Sequence, residues 1–106
     1  MDNIRVIYRI LSILEASMDC EQFDERAISP DALGVTEERL LSLLRMLLQA
    51  GLIEGIGIDV DAAGQFLLSK GRPRLTLKGL EYLNENSLMK RAMKMTKGIK
   101  ESIPGL

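Results

Sequence analysis

Residues 29–51 have the sequence SPDALGVTEERLLSLLRMLLQAG, and this stretch decides the fold. Ser29 is a typical N-cap and Gly34 a typical helix stop, so the stretch opens with one short helical turn. Thr36 predicts the N-cap of a longer helix, which ends just before Gly51, where a left-handed residue is favoured. A short helix joined tightly to a longer one is the outline of a helix-turn-helix.

The longer helix has two contrasting faces. Its apolar face is crowded with leucines at Leu40, Leu41, Leu43, Leu44, Leu47 and Leu48. Its polar face carries Glu38, Arg39, Ser42, Arg45 and Gln49. Since the leucines must be buried, the polar face stays exposed. Four of them, Arg39, Ser42, Arg45 and Gln49, are therefore our candidates for contact with base edges and phosphates in the major groove of DNA.

Residues 3–19 predict a first helix, with Asp2 or Asn3 as its N-cap. One apolar stripe contains Ile4, Ile7, Tyr8, Leu11, Leu14 and Met18, and a second lies beside it with Val6, Ile10 and Ile13. Together the stripes cover well over half of the circumference. Such a helix must be covered on more than one side, either by the tail of its own chain or by another subunit.

The chain after Gly51 predicts a β-hairpin followed by another helix. Residues 52–58 alternate like a strand, and residues 65–68 predict the returning strand. Three basic residues follow the hairpin and are candidates for phosphate or minor-groove contact, namely Lys70, Arg72 and Arg74. Thr76 predicts the cap of a helix that ends at about residue 86, with three inward-facing leucines, Leu77, Leu80 and Leu83.

Residues 87–102 predict a basic amphipathic helix. Its apolar face includes Met89, Met93 and Ile99, and Lys90, Arg91, Lys94 and Lys97 lie mainly opposite. We expect this face to pack on the second stripe of the first helix, within the chain or across a homodimer. A partner's groove or a nucleic acid are alternative contacts, whereas the lack of Trp and Phe disfavours a membrane.

These elements predict one domain over residues 1–106, of α+β class and mainly α. It is a winged helix-turn-helix with a two-stranded wing and extra C-terminal helices. The sequence also resembles the YjcQ-like winged-helix proteins of Gram-positive bacteria and their phages, in residues 34–38 (GVTEE), 51–53 (GLI) and 75–83 (LTLKGLEYL). The resemblance spans nearly the whole chain and implies the same fold in a bacterial or prophage setting. It implies no activity and no functional residues.

Composition argues against an enzyme. The 106 residues include no histidine, which removes the commonest general base and most zinc sites. We therefore expect no catalytic residues, no metal and no cofactor. Cys20 is the single cysteine, and the sequence has no signal segment or membrane span, so we expect a cytoplasmic protein.

The charge is distributed unevenly and leaves two functions open. Residues 1–69 carry five basic and twelve acidic side chains, and residues 70–106 carry nine and three. DNA binding with a regulatory role is the first prediction, because the basic third suits a polyanion. Glu37 and Glu38 oppose it, unless they accept hydrogen bonds from cytosine amino groups. The acidic front supports the alternative, a protein–protein interaction module that does not bind DNA.

Overall fold

The computed structural model describes residues 2–64, 66–68 and 71–86. The described helices are α1 (Asn3–Ala16), α2 (Pro30–Leu33), α3 (Glu37–Gln49) and α4 (Leu77–Glu85), with 3₁₀ turns at Ser17–Asp19 and Glu25–Ala27. The strands are β1 (Ile53–Glu54), β2 (Ile58–Val60), β3 (Phe66–Leu68) and β4 (Arg74–Leu75). The protein is therefore α+β and mainly α, as predicted. The predictions for Lys70 and for the helix over residues 87–102, with Met89, Met93 and Ile99, lie outside the described residues.

The predicted helix caps are confirmed. Each N-cap side chain accepts a hydrogen bond from a backbone N–H in the first turn, at Asp2, Ser29, Thr36 and Thr76. Gly34 follows α2 with φ of 69°, and Gly51 follows α3 with φ of 78°. Both glycines occupy the left-handed region that helix ends favour. The start and end of α2 and α3 are thus encoded locally.

The leucine face of α3 lies in the hydrophobic core. Leu40, Leu43, Leu44 and Leu47 are buried, and Leu41 and Leu48 are half-buried. All of them except Leu41 join a cluster that includes residues of α1, α2, β1 and α4. Burying this face fixes the rotation of α3, so its polar face is turned to solvent.

Helix α1 is central but shorter than predicted. It contacts α3, α4 and β4, so its own chain supplies the second layer that its apolar surface requires. Val6 and Ile10 of the second stripe are fully buried. The prediction was wrong at both ends of the first stripe, since Ile4 is 46% exposed and Met18 is 61% exposed. Met18 lies beyond the end of α1, in a 3₁₀ turn that does not continue the helical stripe.

The β region differs from the predicted simple hairpin. β1 pairs with β4, and β2 pairs with β3, both antiparallel. The single strand predicted over residues 52–58 is wrong because Gly55 adopts a φ of 92° and interrupts it. A Cβ at Gly55 would overlap the carbonyl oxygen of Arg72, so the two backbones approach closely at this point. The two strand pairs follow one another along a ribbon, which comprises β1 to β4. Residues 55–57 separate the pairs on one side and residues 69–73 separate them on the other.

Helix α4 packs through a glycine. Gly79 and Leu83 are buried, and a Cβ at Gly79 would overlap the carbonyl oxygen of Leu52. The prediction that Leu77 faces inward was wrong, since its side chain is 73% exposed. Leu77 lies about 160° around the helix from Gly79, at 100° per residue. The buried face is thus centred on a residue that has no side chain.

Candidate nucleic-acid interface

Four exposed polar residues form a line along α3. Glu38, Ser42, Arg45 and Gln49 follow one another at intervals of four, three and four residues and are all exposed. This spacing keeps them on one side of a helix. The buried leucines occupy the opposite side, so the line faces directly away from the core. The structure therefore brings together three of the candidate residues, Ser42, Arg45 and Gln49, with Glu38, which the sequence also places on the polar face.

Arg39, the fourth predicted residue of α3, lies on the flank of this line. Its Nη1 donates a hydrogen bond to Oδ1 of Asn3, at 3.3 Å. Arg39 also borders two shallow grooves, of about 450 Å³ beside the α2–α3 turn and about 350 Å³ beside the start of α1. The guanidinium is thus placed where the first three helices meet.

The groove between α1 and α3 contains residues that sequence reasoning did not single out. It is lined by Asn3, Glu38, Arg39, Ser42, Leu43 and Met46. Met46 is 55% exposed although it is apolar. Its position four residues after Ser42 is the sequence signal that places it beside the polar line. Asn3 carries no such signal, because its neighbour Arg39 is 36 residues away in the chain.

Arg72 joins the ribbon to the end of α1. Its Nη2 donates to the carbonyl oxygens of Ser17 and Cys20, and its Nη1 donates to that of Glu21, each at 2.9 Å. The side chain is half-buried. Three charge-assisted hydrogen bonds to backbone oxygens indicate a structural role for this guanidinium. No pattern in the sequence predicts this contact, because it bridges more than 50 residues.

Arg74 is placed differently from Arg72. Its Nε lies 3.8 Å from Oε2 of Glu54, the residue opposite it in the β1–β4 pair. The two side chains are 62% and 58% exposed, so solvent weakens this ion pair. Arg74 is therefore accessible to a ligand at the base of the ribbon.

Arg9 of α1 makes a hydrogen bond that fixes the position of α2. Nη2 of Arg9 donates to the carbonyl oxygen of Ala32 at 3.2 Å, near the end of α2. A cation at a helix C-terminus is favourable because the last carbonyls carry partial negative charge. Arg9 thus holds α2 against α1, and α2 in turn sets where α3 begins.

The electrostatics of the interface are balanced. The exposed face of α3 carries two acidic residues, Glu37 and Glu38, and two basic residues, Arg39 and Arg45. The connection between α1 and α2 is acidic, and hydrogen bonds from Arg26 hold the pKa of Asp24 below its usual range. In the described part of this interface, the positive charges that could attract a phosphate are therefore few, namely Arg39 and Arg45 of α3 and Arg74 of β4.

Metal ligands and membrane-spanning helices are both missing from the described residues. No three Cys, Asp or Glu side chains in this part of the chain come together as ligands for a metal ion. None of the helices described here has the length and apolar character needed to cross a membrane.

Comparison with known proteins gives a family match over most of the chain. Residues 8–102 match the family model described as YjcQ protein. No curated protein and no solved structure matches the chain. The match includes α2, α3, the ribbon and α4, so it covers nearly the whole candidate interface.

Proposed function

The chain belongs to the YjcQ protein family, and from this premise we propose that it is a winged-helix protein that binds double-stranded DNA as a bacterial or prophage regulator. The order of elements supports this proposal. Helices α2 and α3 are joined by a tight turn at Gly34, as in a helix-turn-helix, and an antiparallel ribbon follows α3 in the position of a wing.

The observation that carries the proposal is the exposed polar line of α3. A helix fits the major groove of B-DNA, and base edges are recognised there by hydrogen-bonding side chains. Ser42, Arg45 and Gln49 supply such groups from a helix whose rotation is fixed by buried leucines. In the proposed complex these residues contact base edges.

The remaining basic residues would contact the DNA backbone. Arg39 lies on the flank of the line, where a helix in the major groove meets phosphates, and Asn3 holds its guanidinium. Arg74 and Lys70 would contact phosphates or the minor groove from the ribbon. Arg72 has a supporting role, since its three hydrogen bonds fix the ribbon to the body of the protein.

We further propose that the protein binds rather than catalyses, without metal or cofactor, and acts as a homodimer. The lack of histidine supports a binding role over a catalytic one. The homodimer is supported by the sequence of residues 87–102, whose pattern predicts an amphipathic helix with an apolar face suited to pairing two copies. Light scattering coupled to size-exclusion chromatography tests this, since Met93→Glu should convert a dimer of the full chain to a monomer. A monomeric wild-type protein would refute the dimer.

The DNA-binding proposal is tested by fluorescence anisotropy with random duplex DNA at low and at moderate salt. Binding should weaken steeply with salt, because each neutralised phosphate releases counterions. The double variant Arg39→Ala/Arg45→Ala should lose at least tenfold in affinity while its melting temperature stays nearly unchanged. Arg26→Ala is the control, since it removes an exposed arginine from the α1–α2 connection. No binding by the wild-type protein at low salt would refute the proposal.

A protein–protein interaction module is the second candidate function, and the groove beside α3 favours it. Met46 is exposed there, and the face of α3 has no net charge. Exposed apolar residues rimmed by polar ones are typical of protein interfaces. In that case association would tolerate salt, and Met46→Glu would abolish it while Arg39→Ala would not. Immobilised wild-type and Met46→Glu proteins would be compared for their retention of a protein partner at high salt. Retention by the wild-type protein alone would support the interaction module.

A further inference from the structure

We propose that Glu38 makes the α3 surface select cytosine at one position of its DNA site. This inference rests on the proposed DNA binding and specifies the ligand of the same surface. Glu38 places a carboxylate at the N-terminal end of the polar line of α3, the surface that would face the bases. A carboxylate accepts hydrogen bonds but donates none, and the cytosine amino group is the donor it pairs with in the major groove.

Glu38 is positioned to face the bases. It belongs to the exposed line with Ser42 and Gln49, directly opposite the buried leucines. It also borders the groove that contains Asn3 and Met46. Among the described residues, no hydrogen bond or ion pair engages its carboxylate, and the guanidinium of neighbouring Arg39 is directed to Asn3 instead. The carboxylate is therefore available to a ligand.

Its charge explains why this contact would be selective. A carboxylate brought between two phosphate backbones is repelled, and it loses water as the surfaces close. Only a donor on the base edge offsets both effects. A base pair that presents an acceptor at this position leaves the carboxylate unpaired. Because the arginines of α3 are balanced by its glutamates, affinity for unrelated DNA stays low.

Glu37 provides a matched control. It is the adjacent residue, has the same charge and is also exposed. At 100° per residue it lies about 100° around the helix from Glu38, off the polar line. Replacing either residue by glutamine removes one negative charge from the same turn of α3. The two variants therefore differ in whether the replaced side chain faces the bases.

The experiment selects binding sites from random duplexes with the wild-type protein, Glu38→Gln and Glu37→Gln. The wild-type site should contain one position with at least a tenfold preference for cytosine. Glu38→Gln should change that preference to adenine, because glutamine pairs with the N6 and N7 edge of adenine. Glu37→Gln should keep the cytosine. Both variants should bind random DNA more tightly, to a similar extent, because each loses one repulsive charge.

The outcomes separate this inference from the proposed function. A defined wild-type site that Glu38→Gln leaves unchanged would overturn the role of Glu38 and leave DNA binding intact. Equal loss of the cytosine preference in both variants would also overturn it, since only charge would then matter. No DNA binding by the wild-type protein would overturn the function and the inference together. Thermal melting of each variant verifies that the fold is retained.

Discussion

The outer face of α3 and the base of the ribbon use similar polar residues in opposite ways. At the base, Arg72 and Thr76 bind backbone atoms of other elements, and the Thr76 hydroxyl donates to the Gly51 carbonyl at 2.6 Å. On α3, Ser42 and Gln49 are exposed along a line that leads away from the core. The first region holds elements together, whereas the second is available to a ligand. Substitutions at the base should therefore change stability, and substitutions on α3 should change binding.

The largest effect on stability is expected for Gly79→Ala. Alanine normally stabilises a helix by about 1 kcal/mol relative to glycine. Here its Cβ would overlap the Leu52 carbonyl oxygen, so α4 must move away from the ribbon. We expect the free energy of unfolding to fall by about 3 kcal/mol, as in overpacked cores, measured by urea denaturation.

Gly34→Ala is the control for this substitution. Gly34 has φ of 69°, and a Cβ added to it would meet no atom within 4 Å, so only backbone strain opposes alanine there. That strain is about 1–2 kcal/mol. A Gly79→Ala protein as stable as the wild type would show that α4 does not depend on its close approach to the Leu52 backbone.

A smaller effect is expected for Arg72→Met, which keeps the length of the side chain and removes its donors. Loss of three hydrogen bonds to carbonyl oxygens should reduce the free energy of unfolding by about 2 kcal/mol. Arg74→Met removes the same charge two residues further along, where the side chain is exposed and its ion pair is long. That control should change stability by less than about 0.5 kcal/mol. Equal effects of the two substitutions would contradict the structural role of Arg72.

The smallest effect on stability is expected for Asn3→Ala. This substitution tests whether the Arg39 guanidinium on α3 is oriented before any ligand binds. The hydrogen bond from Arg39 to Asn3 is exposed, so stability should change by less than about 0.5 kcal/mol. If Arg39 contacts phosphate, DNA affinity should fall a few-fold, because the guanidinium loses its orientation. Asn3→Gln keeps an amide acceptor without adding charge and should bind better than Asn3→Ala in the anisotropy titration. Equal binding by Asn3→Ala and the wild type would exclude a positioning role for Asn3.

The sequence predicts best where a structure depends on neighbouring residues. Ser29, Thr36 and Thr76 bind N–H groups three residues away, so each cap is visible in a short stretch of sequence. The polar line of α3 is equally visible, because helical periodicity alone separates it from the leucines. These local signals predict helices α2, α3 and α4 and the exposed candidate residues.

The features that the sequence does not reveal depend on distant backbone. β4 has two residues, and its partner β1 precedes it by about 20 residues, so no alternation marks it. The hydrogen bonds of Arg72 are equally invisible in the sequence. They end on backbone carbonyl oxygens, which every residue type has. The prediction for Leu77 failed for a related reason, because hydropathy gives no weight to Gly79, the residue on which α4 packs. Glycines that allow close approach are invisible to a pattern of apolar side chains.

Thr76 gives the ribbon a property that matters beyond this chain. Thr76 is the N-cap of α4, its hydroxyl donates to the carbonyl of Gly51, two residues after the end of α3, and its own amide donates to the Leu52 carbonyl. The segment between Gly51 and Thr76, residues 52–75, is thus held at its base by hydrogen bonds that do not involve its tip. Since the entropy of closing a loop rises only slowly with its length, the tip can be lengthened or shortened at little cost to the body. Because its base is held independently, the ribbon can change in length and sequence at its tip. New ligand contacts can therefore evolve there without refolding the rest of the protein.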